Sequence, residues 1–279
     1  MRKCCPNNKE YLRITGFMKS KLVKIHWLLS SQFGFDIQIL LRSLRGLPAY
    51  LRDWTTFRKG FSGTMKLKPC LHDRYEDGGA TKNEYFWQDL LVARAIHAEN
   101  PVKHVDIGSR VDGFVAHVAS FRDIEVFDVR PISTAVPGVV FRQSDLMNPS
   151  SFLSDTGEGY CDSLSCLHAI EHFGLGRYGD PVNKYGYKRG IANMAQMLQP
   201  GGTFYLSTPI GQEQVEFNAN WVFHPSSIIR CAEDAGMTLQ TLTIITPEQG
   251  PQESGFDDLT LSNLALQHYH LGLFVFTKK

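Results

Sequence analysis

The sequence predicts an α/β fold: a doubly wound, mostly parallel sheet with helices on both faces. Three observations predict it. From position 104 onward, short apolar runs alternate with amphipathic helical stretches, the rhythm of βαβ units. The run YCDSLSCLHAI over 160–170 is almost entirely small and apolar, as a strand covered on both faces should be. Three acidic residues, Asp106, Asp128 and Asp145, stand at or just past successive strand ends, and a glycine follows the first closely. In an open α/β sheet that edge is where ligands sit.

The elements follow in order. Residues 11–60 read as two or three short basic helices, with Leu22, Val23, Trp27, Leu28 and Leu29 near helical spacing beside Lys19, Lys21 and Lys24. Residues 61–83 are rich in Gly, Lys and Asp and read as a linker or ordered loop. Residues 84–99 form a helix with Phe86, Leu90, Leu91, Ala95 and Ile96 mostly on one face, stopped by Pro101. Strands are expected at 104–108, 124–129, 138–143, 160–170, 203–209, 237–246 and 271–279, and helices at 111–120, 188–198 and 225–236. The turn QPGG closes the second of these helices; Pro225 opens the third and Gly236 caps it. Two domains are expected: a basic helical extension over 1–83 and the α/β domain over 84–279.

The 279 residues are 43% hydrophobic and 20% charged, which excludes wholesale disorder. The net charge of +1 conceals an asymmetry: residues 1–68 hold 14 Lys/Arg against 3 Asp/Glu, and the remainder 15 against 25. The basic segment suits an anionic membrane surface, so a peripheral membrane contact through residues 11–60 is one expectation; an apolar stripe packed on the main domain with solvated lysines is the other. The acidic remainder and the absence of a reading module argue against nucleic acid as a partner. Six cysteines, at 4, 5, 70, 161, 166 and 231, form no C-x-x-C pair, which suggests a reducing, cytoplasmic setting. Cys4 and Cys5 lie beside basic residues and are acylation candidates. The start MRKCCPNNKE lacks the apolar core of a secretory signal, and the apolar stretch Ile25–Phe35 is too short to span a bilayer.

The turn after the first strand, Asp106-Ile107-Gly108-Ser109-Arg110-Val111-Asp112-Gly113, admits three readings. A P-loop needs Lys and Ser/Thr after the second glycine, where Phe114 and Val115 stand. A dinucleotide fingerprint needs glycine where Arg110 stands, whose side chain would crowd a pyrophosphate. A nucleoside site without pyrophosphate suits Asp106 and Gly108. Asp128, 20 residues past Gly108, is placed to accept hydrogen bonds from ribose hydroxyls, and Asp145 with Leu146 to meet an adenine. The plain alternative is that the three carboxylates end strands and cap turns; three at successive ends favour the pocket.

HVDIGSRVDG, VFDVR, SDLM, CDSLSCLHAIEH, LQPGG and the FHPSS…AEDAGM helix resemble, in order, the motifs of class I S-adenosylmethionine-dependent methyltransferases over about 100–279. The stretches YFWQDLLVARAI and LHAIEHFGLGRYGDP resemble more narrowly an uncharacterised methyltransferase-like family often found near bacterial surface-polysaccharide genes. The resemblance implies a Rossmann-like seven-stranded sheet with its last strand antiparallel, and S-adenosylmethionine as cofactor. It places Asp106 and Gly108 by the methionine end, Asp128 by the ribose, and Asp145 with Leu146 by the adenine; Arg110 and Gly113 are further cofactor candidates, and His168, within the expected strand, is either a satisfied core histidine or a wall of the cofactor site. G-S-R replaces the usual G-x-G, and Arg110 is a partner for the cofactor carboxylate.

Methyl transfer to a hydroxyl is helped by proximity and by a general base. His172 and Glu171, after the fourth strand, are the catalytic candidates; a loop-fixing or cofactor-shaping role for the histidine is the alternative. Arg177, Tyr178, Glu216, Asn218 and His224 lie in two loops leaving strand ends and are substrate candidates, since amides and carboxylates bind hydroxyls and aromatics stack on sugar rings. The alternative for both is a polar surface loop with an anchoring Trp; a glycan or small-molecule acceptor is what the family resemblance implies. His268 and His270 lack a third ligand, so no metal is expected. A non-catalytic scaffold in polysaccharide assembly is the alternative function. A nicotinamide oxidoreductase lacks both its fingerprint and a Tyr-x-x-x-Lys pair.

Overall fold

The computed structural model describes residues 29–30, 32–79, 81–148 and 159–279. The chain divides into two compact units, Met1–Gly79 and Ala80–Lys279.

In the first unit one long helix, α1 (Ile37–Arg58), replaces the succession of short helices expected; helical residues also occur at 29–30 and 32–33, and the expected elements over 11–28 lie outside the described residues. Asp36 caps α1 by accepting from the Gln38 and Ile39 N–H groups at 2.7 and 3.2 Å. Gly46 and Pro48 do not end it. Gly46 is the one buried residue of α1, and a Cβ there would stand 2.1 Å from the Leu71 carbonyl oxygen, so glycine lets the following segment lie against the helix. Residues 61–79 contain a 3-10 turn, Asp73–Tyr75, whose Tyr75 hydroxyl donates to the Arg45 carbonyl at 3.3 Å.

The second unit is an α/β sandwich around an eight-stranded sheet of order β3-β2-β1-β4-β5-β10-β8-β9. The strands are β1 (His104–Ile107), β2 (Ile124–Asp128), β3 (Val139–Gln143), β4 (Cys161–Leu167), β5 (Leu198–Ile210), β8 (Met237–Thr246), β9 (Gly250–Ser254) and β10 (His270–Lys278). β1 to β5 run parallel; β10 is antiparallel to both β5 and β8. The expected count of seven is corrected to eight, because Gly250–Ser254 folds back as a hairpin on β8 and extends the edge. A separate two-stranded ribbon, β6 (Gln214–Glu216) and β7 (Asn220–Val222), stands where a loop was expected. QPGG is part of the start of β5, with a register shift opposite Cys161, and does not form a free turn.

The helices are α2 (Glu84–Glu99), α3 (Ala116–Ala119, entered through a π-helical turn Val111–Val115), α4 (Gly186–Met197), α5 (Pro225–Asp234) and α6 (Asp258–Ala265). α2 and α3 cover one face of the sheet, with Val92, Ile96, Val115 and Val118 packed on Val126, Leu167 and Tyr205. α4 and α5 cover the other, with Ile191, Met194, Ile228 and Ala232 packed on Leu164, Phe204 and Phe274. Side chains so buried stabilise by about 1.5–3 kcal/mol each.

The buried face of α2 is Gln88, Asp89, Val92, Ala93 and Ile96; Phe86 is exposed, which corrects the expected stripe. Two polar residues can occupy that face because they are partnered. Ser207 Oγ on β5 donates to Gln88 Oε1 at 2.6 Å, and Gln88 Nε2 donates to Asp89 at 3.1 Å.

Candidate functional site

The carboxyl ends of β1, β2 and β4 meet at one edge of the sheet, together with the first turn of α2. The β1 turn is organised by Asp106, which is fully buried. Its Oδ1 accepts from the Ser109 and Ser165 hydroxyls, both at 2.6 Å, and its Oδ2 from the Ser109 N–H at 3.0 Å. Burial pushes this carboxyl up to about 7, against the pull of those donors. Gly108 follows at φ +72°, and a Cβ there would meet the Ala169 Cβ at 3.0 Å, so the turn and the close approach both need glycine. Gly113 lies where a Cβ would stand 2.8 Å from an Asp89 oxygen. Arg110 is exposed and folded onto Asp112 through bonds of 3.1 and 2.7 Å. Its side chain turns to Asp112, and its guanidinium lies 5.9 Å from the centre of the Tyr85 ring.

Asp128 ends β2 and is nearly buried. Its Oδ1 accepts from the Arg130 N–H at 2.8 Å and from Arg130 Nε at 3.0 Å, and its Oδ2 from Arg130 Nη2 at 2.6 Å. The guanidinium also lies 4.5 Å from the centre of the Tyr178 ring, and its Nη2 donates to the Gly108 carbonyl at 3.4 Å. Arg130 thus joins the β1 turn, the end of β2 and the 174–183 loop. Asp145 Oδ1 accepts from the Met147 N–H at 2.9 Å. A cavity of about 270 Å³ opens beside Asp145, lined also by Met147, Asn148, Pro181, Asn183 and Arg189. Leu146 is buried in the core, its carbonyl accepting from Asn193 Nδ2 at 2.7 Å.

After β4 the backbone turns sharply. His168 lies just past the strand, not within it, and is held at φ +52°. Its ring stacks on Tyr85 at 4.4 Å, with Nδ1 2.7 Å from Glu171 Oε1 and Nε2 3.3 Å from Glu84 Oε1. Burial alone would lower its pKa, but the two carboxylates raise it to about 9, so His168 is an imidazolium between two anions. Burial works to raise Glu171, yet His168 holds it below the ordinary carboxylate range. Burial and the two glutamates push the Tyr85 hydroxyl up to about 12. The Tyr269 hydroxyl closes the cluster, donating to Glu84 at 2.7 Å.

His172, in the 3-10 turn Ile170–His172, faces the ribbon. Its Nδ1 lies 2.8 Å from the Ala219 carbonyl, which can only accept, so Nδ1 carries the proton and Nε2 the lone pair, with Arg177 Nη1 3.2 Å from Nδ1 and 3.4 Å from Nε2. Arg177 Nη1 donates to the same carbonyl at 2.9 Å. Burial lowers the His172 pKa; Glu171 opposes this and Arg177 adds to it, so the ring is neutral at pH 7. Tyr178 meets His172 edge to face at 5.6 Å. The 174–180 turn is tied by Asp180, which accepts from the N–H groups of Gly174, Gly176 and Tyr178 at 3.2, 3.3 and 3.2 Å.

The structure brings together Gly108, Asp128, His168, Glu171, His172, Arg177 and Tyr178. Glu216 and Asn218 are exposed at the tip of the ribbon. His224 caps α5, its Nδ1 accepting from the Ser226 N–H at 3.2 Å. Sequence reasoning missed Arg130, Glu84, Tyr85 and Tyr269. A basic residue two places after an acidic strand end was a signal for Arg130, and the polar first turn behind the Asn83 cap a signal for Glu84 and Tyr85.

Residues 148–233 match the family model described as Caenorhabditis protein of unknown function, DUF268. No curated protein matches the chain. Among solved structures, the chain is similar to the 1,6-didemethyltoxoflavin-N1-methyltransferase of Burkholderia thailandensis, solved with S-adenosylhomocysteine bound, at 13% identity over 70% of this chain and 79% of that one, with a TM-score of 0.47. It is similar to the N-methyltransferase NodS of Bradyrhizobium japonicum, also with S-adenosylhomocysteine, at 15% identity over 72% and 89% of the two chains, with a TM-score of 0.47.

Proposed function

We propose that the Ala80–Lys279 unit is an S-adenosylmethionine-dependent methyltransferase whose acceptor is a hydroxyl of a sugar or surface-glycan intermediate. The observation that carries the reading is Asp128. Its carboxylate, beside the Gly108 turn, already receives parallel N–H donors from the Arg130 side chain. The two hydroxyls of a ribose offer the same pair of donors. The Arg130 side chain is 40% exposed, and it would have to swing aside for a ribose to take its place. The cavity beside Asp145 has room for a flat base. These residues therefore fit the nucleoside part of the cofactor. When bound, the cofactor supplies a methyl group activated on sulfur.

The chain's residues supply the rest. His172 Nε2 holds the acceptor hydroxyl and receives its proton, while the Ala219 carbonyl keeps the ring in the tautomer that can do so. General-base help of this kind contributes roughly 10²–10⁴-fold. His168 balances the buried charge of Glu171 beneath it. The acceptor class rests on the makeup of the two loops: the Tyr178 face suits a pyranose ring, and Arg177, Asn218 and Glu216 suit hydroxyls.

Calorimetric titration with S-adenosylhomocysteine tests the reading. The wild-type chain should bind and Asp128→Asn should not. One observation favours a second reading, a non-catalytic scaffold: Arg130 holds the carboxylate that a nucleoside would use. Failure of both the wild-type chain and Arg130→Ala to bind would select the scaffold.

A further inference from the structure

We propose that α1 is a membrane-surface helix, lying in the plane of an anionic lipid bilayer with its leucine stripe among the acyl chains. Ile37, Leu40, Leu41, Leu44, Leu47 and Leu51 recur at helical spacing along one side, and all are exposed; Leu41 and Leu44 are 60% and 59% accessible. A run of aliphatic side chains this long, about 20 Å at the helical rise, is unusual on a surface that faces only water.

Charge identifies the occupant. α1 carries Arg42, Arg45, Arg52 and Arg58 against a single acid, Asp53. Asp53 is itself held by Arg52 and Arg74. Arg45 and Arg52 lie along one margin of the stripe, where guanidinium groups would reach lipid phosphates as the leucines insert. Trp54 continues the stripe, with the Arg58 guanidinium 5.3 Å from its ring centre, a pairing at home at headgroup depth. Phe57 and Phe61 are exposed beyond it. No helix among the described residues is long and apolar enough to cross a membrane, so the helix lies on the bilayer and does not span it. A protein partner would explain the leucines but would not require four arginines against one acid on the same helix. The inference is independent of the methyl-transfer reading.

Co-sedimentation of the full chain with vesicles decides it. The chain should pellet with vesicles containing phosphatidylglycerol and far less with phosphatidylcholine alone. Leu41→Asp/Leu44→Asp should weaken the anionic-vesicle partition about a hundred-fold, through two lost aliphatic insertions. Arg52→Gln should weaken it about five-fold, the worth of one basic residue near the surface. Unchanged circular dichroism would show that the variants keep their helices. A chain that stays in the supernatant with both vesicle types overturns the proposal. So does vesicle binding that the leucine variant leaves intact. A solution dimer that the leucine variant splits, without vesicle binding, overturns it in favour of a second copy of the chain.

Discussion

Arg130 and His172 set the behaviour of the site one side chain at a time. A guanidinium on Asp128 competes with any nucleoside for the same carboxylate oxygens. Because Arg130 is partly exposed, the competing pair is worth about 1 kcal/mol. Arg130→Ala should therefore tighten S-adenosylhomocysteine binding by about five-fold in calorimetry; weaker binding would mean that Arg130 is a cofactor ligand. His172 acts as base only when neutral, and burial lowers its pKa. The pH profile of kcat/KM should rise along a limb centred below pH ~6.5 and be flat above it. His172→Gln should abolish the limb and lower kcat roughly 10²–10⁴-fold. His168 has the opposite sign. Its folded pKa of about 9 exceeds the unfolded value of ~6.5, so its contribution is complete below pH ~6.5 and is lost as pH rises through 9. Chemical denaturation across that window should show a loss of a few kcal/mol that His168→Gln removes. The positions of Asp106, Asp128 and Asp145 at the sheet edge were legible, because strand ends are set by local pattern. Arg130 was not recognised, because a contact between residues two apart depends on how the chain leaves the strand.

At the scale of elements, hydrophobic periodicity located the strands well and the buried face of α2 poorly. Gln88 and Asp89 look solvent-facing in a sequence and are buried here, because Ser207 supplies the partner that makes burial tolerable. Hydropathy counts side chains singly and is blind to such pairing. Ile96 lies on the same face and is fully buried, so Ile96→Ala should cost about 2–5 kcal/mol in denaturant unfolding. The ribbon β6–β7 was read as a loop because its strands are three residues each, too short to show alternation. In the 174–180 turn Asp180 gathers three backbone amides on one carboxylate. Asp180→Ala should release three amides at once, speeding their hydrogen exchange about ten-fold or more while the exchange of β4 stays unchanged. Equal acceleration in β4 would show that Asp180 supports the whole unit and not the turn alone.

The whole molecule divides its labour unevenly. Among the described residues, every buried apolar side chain lies between Val92 and Phe276, and none in the first unit. Cooperative unfolding should therefore belong to Ala80–Lys279. Calorimetry of the full chain should give an unfolding enthalpy near ~140 kcal/mol, that of a 200-residue domain at ~0.7 kcal/mol per residue, and not the ~195 expected of 279. The charge asymmetry at 1–68 was plain in the sequence; the uninterrupted α1 was not, because Gly46 and Pro48 look like breakers when the Leu71 backbone that nestles against Gly46 is out of sight. The order of the sheet matters on the ribosome as well. β10 is synthesised after β5, β8 and β9, yet it fills the gap between β5 and β8. A nascent chain that has delivered β8 and β9 but not residues 270–278 carries two open edges facing each other. For that interval the β8–β9 hairpin lacks the strand that ties it to the sheet, and the growing polypeptide is most open to pairing with its neighbours on a polysome.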